Sequence, residues 1–281
     1  MDAVLRDDGL SRDRLTDYIL MMKQPIPLVR RIAIPVSVAA AIVIPAIQAI
    51  LRLGLTPAEF ARAGDGTLRA APYAFGIWTL VYVGLIAYAA HQARAQTRDT
   101  RVLSALAWPS VFAVSGSAAW IVAAALDWQW MSVAIIVVSA TSAVIGLDRA
   151  AAQDPEPGDR LFVLWPLGLL GGWLTIASAI AILNVLTAKG VITPDNASVA
   201  GLGGVIIVIA LGTVLGLRMR LAAYPLPIAW GLVAVFVAER AHHPWAAWAA
   251  LTGAFVLAVI AGSIQARDGA RPKRTAGSQP G

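Results

Sequence analysis

Uncharged, mostly apolar runs recur eight times along the chain, and no Asp, Glu, Lys or Arg lies inside any of them. A helix rising about 1.5 Å per residue needs roughly 20 residues to cross a hydrocarbon core of about 30 Å. A charged side chain at the bilayer centre costs about 2.5 to 3.5 kcal/mol, so the exclusion of charge supports the boundaries of the runs. The pattern predicts an all-α polytopic bundle of eight transmembrane helices, near residues 32–51, 73–90, 102–126, 129–147, 161–188, 198–217, 221–238 and 244–266.

Lys and Arg residues fall unevenly on the two sides that eight crossings define. Seventeen of the 22 lie on the side of both termini, and the other five are Arg52, Arg62, Arg69, Lys189 and Arg240. Cytoplasmic loops carry the excess of positive charge, so the skew predicts that both termini are cytoplasmic. We expect a multi-pass protein of the cell membrane (plasma or inner), surrounded by the lipid bilayer.

Polar segments flank and connect the apolar runs. Residues 1–30 mix acidic and basic side chains and are predicted to form a cytoplasmic polar leader. The charged, apolar and small residues of this leader do not follow one another as they do in a cleaved signal peptide, so we expect it to be retained. The connection 52–71 has about twenty residues, more than an ordinary loop, and could fold over the outer end of the bundle. Residues 267–281 are rich in Arg, Lys, Gly, Ser and Pro, which indicates a disordered basic cytoplasmic tail.

Composition agrees with a membrane protein and excludes several other classes. Hydrophobic residues make up 58% of the chain, charged residues 14%, and the mean hydropathy is +0.71, whereas about a quarter of residues are charged in soluble domains. The net charge of +6 and the pI near 10.2 come from residues at span ends, so we expect no nucleic-acid partner. The absence of cysteine excludes disulfides, thiolate metal sites and cysteine nucleophiles.

Two pairs of glycines have the spacing that allows helices to approach closely. They are Gly168-x-x-x-Gly172 in the fifth run and Gly212-x-x-x-Gly216 in the sixth. A small residue every fourth position leaves a flat face on a helix, so we interpret both pairs as packing surfaces.

The second run carries three aromatic side chains on one stripe. Phe75, Trp78 and Tyr82 are spaced by three and four residues within 72–92 (PYAFGIWTLVYVGLIAYAAHQ), so they share one side of a helix. Such a stripe packs against neighbouring helices or lines a ligand site, and the spacing alone leaves both interpretations open.

The fifth run places an amide on the same face as an indole. Asn184 follows Trp173 by eleven residues, close to three whole helical turns. Indoles and an amide in the interior of a bundle would suit a flat, mostly apolar ligand that forms hydrogen bonds. Alternatively, Asn184 simply bonds a neighbouring helix near the outer boundary of the membrane.

Motifs on three predicted helices follow a fixed order: Pro72, Phe75, Trp78-Thr79 and Tyr82, then Trp120, then Pro166 with Gly172-Trp173-x-Thr175-x-Ala177. Together they resemble the signature of the tryptophan-rich sensory proteins, the TspO/translocator protein family. The resemblance covers residues 31–187, and it is to the longer bacterial members with additional spans. It divides the membrane part into a TspO-like five-helix domain, 31–188, and three additional helices, 198–266, which could form a dimerisation surface, a signalling attachment or a second cavity.

The resemblance implies a bundle whose interior binds a porphyrin such as protoporphyrin IX, or haem, and in some relatives sterols, beneath the loop after the first span. No cofactor is required under this interpretation, and a homodimer stays open. Ser117 and Ala181 stand where the family pattern has asparagine. The residues expected to contact the ligand are Phe75, Trp78, Tyr82, Ser117, Trp120, Trp173, Ala177 and Asn184.

The three histidines do not predict a metal site. The topology places His91 at the cytoplasmic end of the second span and His242 with His243 at the outer end of the seventh, so they cannot converge on one ion. Beside Glu239, the histidine pair indicates either a surface cation site or a solvated loop. No catalytic residues are predicted.

Three classes of function remain, and the favoured one is a TspO-like sensor or translocator that binds a hydrophobic small molecule, most specifically a tetrapyrrole. The alternative is a secondary transporter of a small apolar or amphipathic metabolite, although such proteins usually carry ionisable residues within the membrane. The third is a membrane enzyme that modifies a porphyrin or a lipid. Turnover of bound porphyrin would indicate this class.

Overall fold

The structure is a computed structural model that describes residues 28–62, 64, 66–94 and 101–269 of the 281-residue chain. Every regular element in these residues is helical. The predicted leader and basic tail lie outside them, apart from residues 28–30 and 267–269, which are helical.

Nine α-helices, with short 3₁₀ and π turns, make up the described part of the chain. A 3₁₀ helix, Pro72–Gly76, leads into α3, and a single turn, Pro157–Asp159, followed by a π-helical turn, Arg160–Leu164, leads into α6. The α-helices are α1 (Leu28–Leu51), α2 (Pro57–Arg62), α3 (Ile77–Ala93), α4 (Arg101–Ala125), α5 (Gln129–Ala151), α6 (Trp165–Ala188), α7 (Pro194–Met219), α8 (Pro225–Glu239) and α9 (Pro244–Gly269).

Seven helical segments of the described chain are long and apolar enough to cross a membrane, so the predicted count of eight is not confirmed. The predicted seventh span, 221–238, is a shorter apolar helix, α8, of 15 residues. Its late start has a local cause, because Arg220 has a left-handed backbone (φ 48°) and Pro225 and Pro227 occupy the first turn of α8. Proline cannot donate an amide hydrogen bond, and it is therefore placed where a helix begins.

Hydrogen bonds and ion pairs define the two ends of the bundle. At one end, which we call the α2 end, Leu55 N–H donates to the carbonyl of Ala125 (3.1 Å) and Thr67 bonds Thr187 (2.6 Å). At the opposite end, Arg218 bonds Asp148 through two nitrogens (2.6 and 2.9 Å), and Arg160 pairs with Asp268 (2.8 Å). The residues near 55, 67, 125 and 187 therefore lie at one end of the bundle, and those near 148, 160, 218 and 268 at the other.

The glycine pairs pack as predicted, and they position α8. A Cβ atom at Gly172 would meet the carbonyl oxygen of Tyr224 and the ring of Pro227, and one at Gly216 would meet Pro225. The Tyr224 hydroxyl lies 2.8 Å from the Thr175 hydroxyl in the buried core. These close approaches place α8 directly against α6, which belongs to the most buried of the seven candidate spans.

Candidate functional site

A cavity of about 440 Å³ lies between the helices near the α2 end. Its volume falls within the range of about 300 to 1,000 Å³ that is usual for small-molecule sites. Its walls come from α2, the segment from Arg69 to Pro72, the 3₁₀ helix, and α3, α4, α5, α6 and α8.

Seven of the eight predicted ligand contacts line this cavity. They are Phe75, Trp78, Ser117, Trp120, Trp173, Ala177 and Asn184. The exception is Tyr82, which does not belong to the lining; its ring packs on Trp78 with the centroids 5.3 Å apart. The three indoles from α3, α4 and α6 therefore share one hollow.

Two edge-to-face aromatic pairs form part of the cavity wall. Phe75 meets Trp173 with ring centroids 6.3 Å apart, and Phe60 of α2 meets Trp120 at 6.1 Å. Aromatic rings prefer such T-shaped contacts because the positive edge of one faces the negative face of the other. Phe60, which is buried, was not predicted as a site residue, although an aromatic side chain in the long connection was a signal for it.

Three residues of the lining each carry a buried polar atom that has no hydrogen-bond partner among the described residues. These atoms are Nε1 of Trp120, Oε1 of Gln129 and Oδ1 of Asn184. Buried polar groups in proteins are nearly always hydrogen-bonded, because an unmade bond costs about 1 to 3 kcal/mol. An indole donor and two amide oxygens beside the cavity are therefore left without a hydrogen bond.

Asn184 lines the cavity and also bonds a neighbouring helix. Its Nδ2 donates to the carbonyl of Ala61 in α2 at 3.2 Å, while its Oδ1 has no partner among the described residues. Ser117, by contrast, donates to the carbonyl of Ala113 (3.2 Å), one turn earlier in α4. The hydroxyl hydrogen of Ser117 is thus already used.

One of the additional helices, α8, also contributes to the cavity, which the sequence did not indicate. Gly231, Val237 and Ala238 of α8 belong to the lining, and so do two arginines near the α2 end, Arg62 and Arg69. Arg69 pairs with Glu239, Nε to Oε1, at 3.2 Å. Burial raises the pKa of the Glu239 carboxyl, and the positive charge of Arg69 opposes this rise.

The histidines lie at opposite ends of the bundle. Nε2 of His91 is 3.1 Å from the Asp159 carboxylate, away from the cavity. Nδ1 of His242 bonds Arg69, and Nε2 of His243 bonds the carbonyl of Gly66. Within the described residues no three His, Cys, Asp or Glu side chains group as a metal site.

Comparison with models of protein families gives a match over most of the chain. A family model described as "TSPO-like protein" matches residues 31–263. The match therefore extends beyond residues 31–187, on which the resemblance rested, and it includes α7, α8 and most of α9. No curated protein and no solved structure matches the chain. A match over most of its length shows that this multi-pass helical membrane protein belongs to the TSPO-like protein family.

Proposed function

We propose that the protein binds a hydrophobic small molecule, specifically a tetrapyrrole such as a porphyrin or haem, in the cavity, and that it acts as a sensor or translocator of that molecule. The observation that carries the proposal is the set of unbonded polar atoms on Trp120, Gln129 and Asn184, within a lining that is otherwise mostly aromatic and aliphatic. A ligand with a large apolar surface and a few polar groups would satisfy both parts.

Two further features support a flat ligand with anionic substituents. Trp78 and Trp173 line the cavity, and aromatic rings favour contact with another π-system. Arg62 and Arg69 line the cavity near the α2 end, where a guanidinium group can bond a carboxylate. The macrocycle of a tetrapyrrole would then lie among the indoles, with its acid groups directed to the arginines.

The lysine and arginine skew supports cytoplasmic termini, so the α2 end would face away from the cytoplasm. A ligand would then enter from the outer side. Uptake of protoporphyrin IX into proteoliposomes would distinguish a translocator from a sensor, and a homodimer stays a prediction.

Titration of the purified protein with protoporphyrin IX, followed by quenching of tryptophan fluorescence, tests the binding. Trp120→Phe keeps an aromatic ring and removes the indole N–H, so we expect Kd to rise about fivefold, the effect of roughly 1 kcal/mol for one hydrogen bond. Trp245→Phe is the matched control, because Trp245 is exposed and lies outside the lining. The absence of saturable binding by the unmodified protein would refute the proposal.

A further inference from the structure

Residues 66–71, which we call the mouth segment, form a part of the cavity wall that is not a helix. Arg69, Ala70 and Ala71 of this segment belong to the lining. The segment joins α2 to the 3₁₀ helix, so its place in the wall depends on bonds to other elements. Most of the remaining wall consists of helices, which would have to unwind or tilt to open a path.

The first group of these bonds joins the centre of the mouth segment to the C-terminal end of α8. The backbone N–H of Arg69 donates to Oε1 of Glu239 at 3.0 Å, and its guanidinium pairs with the same oxygen at 3.2 Å. The guanidinium also donates to Nδ1 of His242 at 2.9 Å. The Glu239 side chain is almost fully buried (1% exposed), so this carboxylate depends on its partners for its charge.

The second group fixes the two ends of the segment. His243 connects α7 to the segment, because its Nδ1 is 2.9 Å from the Ser198 hydroxyl and its Nε2 is 3.1 Å from the Gly66 carbonyl. At the other end, the N–H of Ala71 donates to the carbonyl of Ala234 in α8 at 3.0 Å. All of these partners come from α7, α8 or the turn between α8 and α9.

We propose that Glu239, His242 and His243 are a clamp that holds the mouth segment closed, and that the clamp controls how fast a molecule enters or leaves the cavity. The inference rests on the proposed function only in taking the cavity as the binding site. The three residues are positioning residues, since none of them lines the cavity. In this arrangement the additional helices regulate access to a site that the preceding helices largely build.

The test uses the absence of native cysteine. Ser117→Cys places a single thiol in the lining, and the rate of its modification by a cationic methanethiosulfonate reagent measures access to the cavity. We expect Glu239→Gln, made in this background, to increase the rate severalfold, since a neutral amide cannot form the ion pair with Arg69.

Asp148→Asn is the matched control, because it makes the same change in a carboxylate that pairs with Arg218 at the opposite end of the bundle. It should leave the rate unchanged. His242→Ala combined with His243→Ala opens the clamp by a second route, through side chains outside the core. Equal rates in the parent and in both clamp variants, or no modification in any of them, would overturn the proposal.

This readout requires no tetrapyrrole, so the two proposals fail separately. If the clamp variants increase the rate of thiol modification but the protein does not bind protoporphyrin, the clamp is retained and the ligand class is refuted. If the protein binds protoporphyrin but the clamp variants leave the rate of thiol modification unchanged, only the clamp is refuted.

Discussion

Phe75 and Trp173 meet edge to face in the wall of the cavity, with ring centroids 6.3 Å apart and planes inclined by 74°. Phe75 belongs to the 3₁₀ helix before α3, and Trp173 lies in the middle of α6. One contact therefore connects the start of the second span to α6, in the most buried of the seven candidate spans. A change at Trp173 should affect both the fold and the binding site.

We expect Trp173→Ala to destabilise the protein by about 3 kcal/mol or more, as truncation of a large buried aromatic side chain does, and to weaken protoporphyrin binding. Trp173 is 6% exposed, whereas Trp245 is 79% exposed. Trp245→Ala should therefore change the stability by less than about 0.5 kcal/mol. Thermal unfolding in detergent and the fluorescence titration check both effects, and an equal loss in the two variants would contradict the prediction.

A disulfide between the mouth segment and α6 should slow ligand exchange. The hydroxyl oxygens of Thr67 and Thr187 are 2.6 Å apart, so Thr67→Cys with Thr187→Cys brings two sulfur atoms close enough to bond. We expect protoporphyrin IX to dissociate more slowly from the oxidised variant than from the same protein after reduction.

The reduced form of the variant is the control for folding of the oxidised form. The sequence contains no native cysteine that could compete for the disulfide. Identical dissociation rates before and after reduction would show that the mouth segment is not on the exit path.

Gly172→Ala should lower the melting temperature because the added methyl group would collide with the Tyr224 carbonyl and Pro227. Gly203→Ala is the matched control, since a Cβ atom there has no heavy atom within 4 Å. Alanine favours a helix over glycine by about 1 kcal/mol, so the control should melt at the same temperature or higher. Thermal unfolding of both variants tests whether α8 packs on α6 through this glycine.

Acid should weaken the short helix α2 through its capping residues. Glu59 accepts hydrogen bonds from the backbone N–H and the hydroxyl of Thr56, both at 2.8 Å, and these bonds lower the pKa of the Glu59 carboxyl below its usual 4.5. A lowered pKa means that the ionised form stabilises the fold. The stabilisation is complete when the pH lies above 4.5, the ordinary pKa of a Glu carboxyl. It is lost as the pH falls through the lowered pKa of Glu59.

Glu59→Gln serves as the reference without this titration. The melting temperature of the unmodified protein should fall relative to that of Glu59→Gln as the pH decreases from 5 to about 3. A constant difference between the two proteins across this range would show that the cap does not contribute.

The apolar runs predicted the positions of the long helices because charge exclusion is a strong signal in a membrane. Run 102–126 corresponds to α4 (Arg101–Ala125), and run 244–266 to α9 (Pro244–Gly269). The register of Trp173 and Asn184 was also predictable, since eleven residues make about three turns of an unbroken helix. Both side chains line the cavity.

Contacts between distant segments were not predictable from periodicity. Phe60 and Gln129 lie in or next to connections, where no repeat indicates a direction, and Gly231 enters the lining only because α8 packs closely on α6. Phe75 lies in a 3₁₀ helix, which turns by about 120° per residue and not by the roughly 100° of an α-helix. The α-helical spacing therefore does not place Phe75 and Tyr82 on one face. Tyr82 lies a turn further along α3, against Trp78.

The bond from the Arg69 amide to the Glu239 carboxylate spans 170 residues of sequence. During synthesis the mouth segment leaves the ribosome long before its partner, and α8 must then insert beside helices that are already in place. Because chains of this size commonly assemble stepwise, the half-made bundle would present an unsealed, aromatic hollow to the bilayer. Completion of the pocket would therefore be among the last events of biogenesis. A molecule that binds in the pocket would bind only to the fully assembled protein.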